Sequence, residues 1–234
     1  MNLTHRAEEE EWMDDLACEG EVVHQTLREL DFINLWLGGN AVTLRGLHRL
    51  LSKGTAADIS VADMGCGSGD MLRRLSRWGQ ARGYQFKLCG VDANPNIVAF
   101  ARQYSDQFPQ IRYQTANVLD PDFGQQQFDV IIATLFVHHF PQPTLVALLQ
   151  QWKKQARLGI VINDLHRHVL AYHSIRWLTR LFSRSRMVQY DAPLSVRRGF
   201  LQSELKQALR DAGIEKYELR WRWAFRWELV IWTA

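Results

Sequence analysis

Apolar and polar positions change period several times along this 234-residue chain. Residues 1–14 keep no regular spacing and read as disordered or loosely helical. Between residues 20 and 37, Val22, Val23, Leu27, Leu30, Phe32, Ile33 and Leu35 recur with helical spacing. Gly38-Gly39-Asn40 breaks that pattern, and Leu44, Leu47, Leu50 and Leu51 predict a second helix. From residue 57 to about 165, short apolar runs alternate with helical stretches, the signature of a parallel sheet covered by helices on both faces. Runs such as Val130-Ile131-Ile132-Ala133 and Leu158-Gly159-Ile160-Val161-Ile162 suit strands buried on both sides.

Residues 166–200 interrupt the alternation. Ile175, Leu178, Leu181 and Phe182 fall on one side of a helix, with Arg176 and Arg180 on another. Tyr190-Asp191-Ala192-Pro193 predicts a turn. This segment reads as a cap. A helix over 201–212 follows and ends at Gly213, and Lys216 to Trp232 alternates like an antiparallel hairpin with its bend near Ala224-Phe225. The organisation expected is a helical extension over 1–56 and an α/β domain over 57–234, with the cap inserted at 166–200.

The polar residues that end the apolar runs change the picture. Asp63, Asp92, Asn117, Thr134 and Asp164 all fall at expected strand carboxyl ends, where sheets of this kind bind ligands. After the first strand, Gly65, Gly67 and Gly69 occupy every second position, and a helical pattern follows through Met71, Leu72, Leu75 and Trp78. Glycine permits tight turns and close ligand approach, and open amides at a helix start favour polar or anionic groups. The spacing separates ligand classes. A dinucleotide fingerprint from Gly65 needs glycine at 70, where Asp70 stands; from Gly67 it needs glycine at 72, where Leu72 stands. No Lys-Ser/Thr pair follows, which excludes a P-loop.

Asp63-x-Gly65-x-Gly67-x-Gly69 resembles the first motif of the class I S-adenosylmethionine-dependent methyltransferases. Further motifs match in order over about residues 57–165. Phe86 to Asp92 is a second apolar run ending in an acid, and Asn94-Pro95 supplies an N-cap and a first-turn proline. Ile111 to Ala116 leads to Asn117, where the family usually has Asp; the amide can still accept and donate toward an adenine. Phe128 to Thr134, then Leu135-Phe136-Val137-His138-His139-Phe140, resembles the fourth motif, whose loop passes between cofactor and acceptor. The resemblance implies a Rossmann-like seven-stranded sheet, mostly parallel, closed by an antiparallel C-terminal hairpin. It implies S-adenosylmethionine as cofactor, held by Asp63, Gly65, Cys66, Gly67 and Gly69, with Asp92 and Ala93 at the ribose, Asn117 and Val118 at the adenine, and Thr134 beside them. The chain as a whole resembles the small methyltransferases of quinone and polyketide pathways.

The expected reaction is in-line methyl transfer, most simply to a phenolic oxygen. Alignment of the reactants contributes up to roughly 7–11 kcal/mol, and a positioned base adds about 10²–10⁴ in rate. Histidine suits that task near neutral pH. His139 is the first candidate base, because the loop after the fourth strand lies beside the methyl group in the family; His166 is second, and His138, His168 and His173 are the others. Tyr172, Arg176 and Tyr190 of the cap are the candidate acceptor contacts, since aromatic and arginine side chains suit a ring carrying a carboxylate or phenolate. Asn163-Asp164 has the reversed order of the pair used by metal-dependent catechol-type relatives, so no metal is expected.

Composition narrows the partners. A net charge of +3 is too small to imply nucleic acid by itself. DNA is not expected, and an RNA methyltransferase is the alternative that Thr134-Leu135-Phe136-Val137 disfavours, because the Asn/Asp-Pro-Pro-Tyr/Phe motif is missing there. A non-catalytic cofactor-binding protein is the other alternative. Cys18, Cys66 and Cys89 are unclustered and read as reduced thiols in a cytoplasmic protein without zinc spacing. No apolar run approaches the ~18–20 residues of a membrane span. Residues 1–20 carry seven acids against Arg6, and residues 152–186 carry eight Lys/Arg against Asp164. The basic segment reads as a solvated face, an acceptor lining, or an amphipathic helix at a membrane surface. Oligomeric state is not legible.

Overall fold

The computed structural model describes residues 3–51 and 58–233. The expected boundary between 56 and 57 therefore lies outside the described residues, as does residue 234. The apolar runs form seven strands: β1 (Asp58–Met64), β2 (Gln85–Asp92), β3 (Ile111–Thr115), β4 (Phe128–Thr134), β5 (Ala156–Leu165), β6 (Tyr217–Arg222) and β7 (Arg226–Trp232). They make one sheet in the order β3-β2-β1-β4-β5-β7-β6. β1 to β5 run parallel, and β7 lies antiparallel to both β5 and β6. The chain moves outward from β1 through β2 to β3, then returns to the other side of β1 with β4. That reversal opens a crevice outside the carboxyl ends of β1 and β4.

The helices are α1 (Gly20–Trp36), α2 (Gly39–Leu51), α3 (Asp70–Gln80), α4 (Pro95–Gln103), α5 (Gln142–Gln155), α6 (Val169–Phe182), α7 (Arg186–Arg198) and α8 (Gln202–Asp211). Two apolar layers bury the sheet. Leu145, Leu148, Trp152, Leu205 and Leu209 of α5 and α8 cover one face, and Leu47, Leu51, Leu72 and Leu75 of α2 and α3 cover the other. α2 is thus part of the central core rather than an appendage. α4 starts as its sequence suggests: the Asn94 side chain accepts from the Asn96 and Ile97 amides, and Pro95 opens the helix.

Two expectations on the ends and the cap fail. Residues 3–14 are not disordered, and the loosely helical alternative holds only over the 3-10 turn Trp12–Asp14: Leu3 to Glu19 form a strap held by groups distant in sequence. Arg167 donates to the Leu3 carbonyl, Arg6 to the Arg198 carbonyl, and the Ala7 amide to the Arg197 carbonyl. The Trp12 ring stacks on Tyr190 at 4.8 Å. Tyr190-Asp191-Ala192-Pro193 is not a turn but the middle of α7. Pro193 removes one helical donor, yet Val188, Asp191, Pro193, Leu194 and Val196 are all buried, so packing overrides the local preference of proline. The hairpin bend falls at Trp223–Phe225, where Phe225 takes a positive φ of 54°.

Candidate active site

The loop between β1 and α3 is built by backbone geometry that only glycine adopts freely. Gly65, Gly67 and Gly69 have φ of 68°, 50° and 77°. Space is a second constraint. A Cβ on Gly65 would stand 2.1 Å from the Phe136 ring, and one on Gly69 would stand 2.0 Å from the Tyr113 hydroxyl. Phe136 arrives from the end of β4, where Leu135 bends the chain with a φ of 55°. A non-glycine residue in that region stores strain, a feature that clusters at functional sites. Gly69 serves the packing of Tyr113 behind the loop and does not line the crevice.

A cavity of about 510 Å³ occupies the crevice, lined by Asp63, Gly65, Cys66, Gly67, Asp92, Ala93, Asn117, Val118 and Thr134 among others. Such a volume suits a cofactor or a drug-sized ligand. Asp63 is 2 % exposed and its Oδ1 has no hydrogen-bond partner. Burial, then the charges of Asp92 and Asp70, pushes its carboxyl well above the usual range. A cationic amino group is the complement that this orphaned acid lacks. Asp92 is aimed by two amides, accepting from Gly67 and Asn94 at 3.1 Å each. Burial raises its pKa as well. Asn117 Oδ1 is taken by the Leu119 amide at 3.0 Å. Its NH₂ is therefore the group left for a ring nitrogen, so only half of the exchange expected from the sequence is open. Thr134 bonds Thr43 at 2.8 Å, and Thr43 accepts from Asn163 at 3.0 Å, which ties α2 to the ends of β4 and β5.

The histidines stand on a 3-10 turn over Val137–His139, directly after the Leu135 bend. His138 is 2 % exposed, and its Nδ1 lies 2.8 Å from Asp164 Oδ1. Its Nε2 lies 3.5 Å from Glu11 Oε1. Burial alone would push its pKa down, but the charge and hydrogen bond of Asp164, joined by Glu11, hold it up at about 9. His138 is therefore a buried imidazolium between two carboxylates, and it has no free basic nitrogen at neutral pH. His139 is more open: its Nδ1 stands 2.6 Å from Asp14 Oδ1, and both residues line the cavity. Burial would raise Asp14, but bonds to His139 and Arg198 outweigh it and hold that carboxyl well below its usual range. Two arginines fix the turn's backbone, Arg6 on the His138 carbonyl and Arg198 on the His139 carbonyl, each at 2.7 Å.

The structure brings His138 and His139 to the cavity and leaves His166, Tyr172, Arg176 and Tyr190, like Gly69, outside its lining. His166 accepts from the Trp221 indole at 3.2 Å, beside the hairpin tip. Tyr172 and Arg176 lie on the outer cap helix, because α6 turns its small residues Ala171 and Thr179 inward and several of its large ones out. Tyr190 acts indirectly, as the platform under Trp12. The acceptor side is instead walled by Met13 of the strap, Leu27 and Leu30 of α1, Phe136, Phe140 and Ala192. Arg198 also lines it, as do Glu11, Asp14 and Asp191, none of which the sequence marks as a site residue. Asp191 accepts the amides of Trp12 and Met13 at 2.9 and 3.2 Å, which seats the strap. The acidic run of residues 8–15 was a signal, but its partners lie more than 120 positions away.

Comparison with known proteins agrees with this geometry. Residues 61–159 match the family model described as a methyltransferase domain. Over these residues the chain is similar to methyltransferase domains. Over 108 residues it is 34% identical to a 2-phytyl-1,4-naphtoquinone methyltransferase of Nostoc sp., covering 42% of this chain and 43% of that protein. A namesake from Nostoc punctiforme is 36% identical over the same span and coverage. The chain thus aligns with less than half the length of the curated relatives it matches. Among solved structures, human N-acetylserotonin methyltransferase superposes with a TM-score of 0.65 at 17% identity, over 97% of this chain and 59% of that one. A SAM-dependent methyltransferase from Aquifex aeolicus gives 0.61 at 16% identity, over 89% and 97%. These two likenesses show the fold. The glycine loop follows β1, the second acid ends β2 and the Leu135–Phe140 segment follows β4, in the order of the sequence resemblance.

Proposed function

We propose that the protein transfers the methyl group of S-adenosylmethionine to a hydroxyl oxygen of a small aromatic acceptor. One observation carries the reading: the His139–Asp14 pair opens on the same cavity as the unpartnered Asp63 and the amide-aimed Asp92. Asp63 complements the cofactor's amino group, Asp92 its ribose diol and the Asn117 NH₂ its adenine. Bound there, the cofactor supplies an electrophilic methyl group on a sulfonium. The chain's own work is to orient and to move one proton. Leu27, Leu30, Phe136 and Phe140 offer apolar walls to a flat ring. With Nδ1 of His139 against Asp14, Nε2 is the atom that accepts the hydroxyl proton, and Asp14 stabilises the imidazolium that results. The strap over the cavity limits water at the reacting oxygen. The naphtoquinone in the names of the sequence relatives supports a small aromatic acceptor; a quinone carries no hydroxyl, so its reduced hydroquinone or another phenol is the form that supplies the proton.

Glu11, His138 and His139 offer ligand atoms within 4.8 Å of one another. The charges there disfavour a metal. Arg198 Nη1 stands 3.6 Å from Glu11 Oε1, so a dication would enter beside a cation already held there. The test is incubation with methyl-deuterated cofactor and a panel of phenols and hydroquinones, followed by mass spectrometry of the products. The expected result is a labelled aryl methyl ether whose yield is unchanged by EDTA. Label on ring carbon would refute the oxygen assignment, and EDTA-sensitive turnover would refute the metal-free one.

A further inference from the structure

α6 is built the wrong way round for a helix that only packs. Several of its large apolar residues face outward: Trp177, Leu181 and Phe182 are 63 %, 68 % and 77 % exposed, whereas Ala171 and Thr179 are buried and Ile175 and Leu178 half-buried. Leu170, Trp177 and Leu181 recur at helical spacing, so they form one stripe along the outer side. Arg176 and Arg180 form a parallel row beside it, and Arg184 and Arg186 continue the charge past the helix end. Arg167 pairs with Glu204 and Arg198 with Asp14. No ion pair to Arg176, Arg180, Arg184 or Arg186 forms among the described residues.

Neighbouring elements extend this face. Glu29 of α1 accepts from the Ser183 hydroxyl and from the Arg184 and Ser185 amides, which joins α1 to the end of α6. One turn and two turns further along α1, Phe32 and Trp36 pack on each other at 5.7 Å and stand 59 % and 74 % exposed. At the other end of α6, His168 stacks on Phe225 of the hairpin tip at 5.0 Å, beside the exposed Trp223. Exposed tryptophan, phenylalanine and leucine side by side with unpaired arginines match a helix lying at a lipid–water boundary, the arginines toward anionic headgroups. The same α1 that carries Phe32 and Trp36 outward presents Leu27 and Leu30 to the cavity.

We infer that α6, the carboxyl half of α1 and the hairpin tip form a docking surface for a membrane rich in anionic phospholipid. No helix of the described residues is long and apolar enough to cross a membrane, so the contact is one of lying on the surface. The inference deepens the proposed function by giving a lipophilic acceptor its route to the cavity.

The test is co-sedimentation of the full chain with vesicles, which needs no turnover and so fails separately from the methyl-transfer reading. The probes are phosphatidylcholine alone and phosphatidylcholine containing phosphatidylglycerol. The wild-type protein is expected to pellet with the anionic vesicles and to be released by salt. Arg176→Gln/Arg180→Gln/Arg184→Gln is expected to lower partitioning about a hundredfold, at about fivefold per arginine. Trp177→Ser/Leu181→Ser/Phe182→Ser is expected to abolish it. Both variants should keep the wild-type circular dichroism and S-adenosylhomocysteine affinity, which shows that they fold. Equal binding to neutral and anionic vesicles, or undiminished binding by the arginine variant, would overturn the inference. So would a dimer seen by light scattering that the apolar variant dissolves, with no vesicle binding by the wild type; the face would then belong to a second copy of the chain.

Discussion

His139→Ala is expected to lower kcat by about 10²–10⁴ while leaving affinity for S-adenosylhomocysteine within about twofold. The expectation follows from the division of labour in the cavity. Asp63 and Asp92 sit at the ends of β1 and β2, on the cofactor side, and His139 sits on the turn after β4 with Asp14 against its Nδ1. Removing the imidazole deletes the proton acceptor and leaves the two acids in place. Asp14→Asn should lie between wild type and His139→Ala in kcat, because it keeps the imidazole and removes the charge that stabilises its protonated form. Steady-state kinetics beside calorimetry separates the two effects. Full turnover by His139→Ala would remove the proton-transfer role and leave the cofactor site standing.

Asp164→Asn is expected to cost about 3–5 kcal/mol of stability, the usual penalty for leaving a buried charge without its partner. That corresponds to a fall in Tm of about 6–20 °C for a chain of this size. Asp164 is fully buried and serves three donors: the His138 ring, the His138 amide and the Leu165 amide. The pH dependence has a definite sign. His138 titrates at about 9 in the folded protein against 6.5 for an ordinary histidine. Its contribution is full below the unfolded value and is lost as pH rises through about 9. Asp164 runs the other way: burial would raise it, but His138 outweighs burial and holds it low. Its contribution is present above the ordinary carboxylate range and is lost as pH falls through the depressed value. Differential scanning fluorimetry should show Tm falling between neutral pH and about 10 in the wild type, and a flatter alkaline limb in Asp164→Asn. An unchanged Tm in the variant would mean that the buried pair contributes nothing net.

Much of the fold was legible because the relevant signals are local. A strand buried on both faces reads as an unbroken apolar run, and Val130 to Ala133 and Ile160 to Ile162 obey that rule. The glycine loop was legible for the same reason, since its backbone angles depend on residues 65, 67 and 69 alone. α7 was misread at Pro193 because proline is a strong local signal and burial of its neighbours is not visible in sequence. α6 shows a different limit. Periodicity divides a helix into faces but does not say which one turns inward, so Tyr172 and Arg176 were assigned to a pocket they do not line. The strap carries the sharpest lesson. Glu11 and Asp14 pair with His138 and His139, and Asp191 seats the strap, across separations that no spacing rule spans. The acidic composition of the first twenty residues marked the segment without naming its partner.

The cavity at the ends of β1, β2 and β4 is the seat assigned to an S-adenosyl cofactor. Isothermal titration with S-adenosylhomocysteine tests this most directly. The wild-type protein is expected to bind about one equivalent with a micromolar Kd. Asp92→Ala, stripped of a carboxylate that grips the ribose diol through charge-assisted bonds, should bind about a hundredfold more weakly. A folded wild-type protein that gives no heat with this ligand, or an Asp92→Ala variant that binds it as tightly as the wild type, would contradict the assignment.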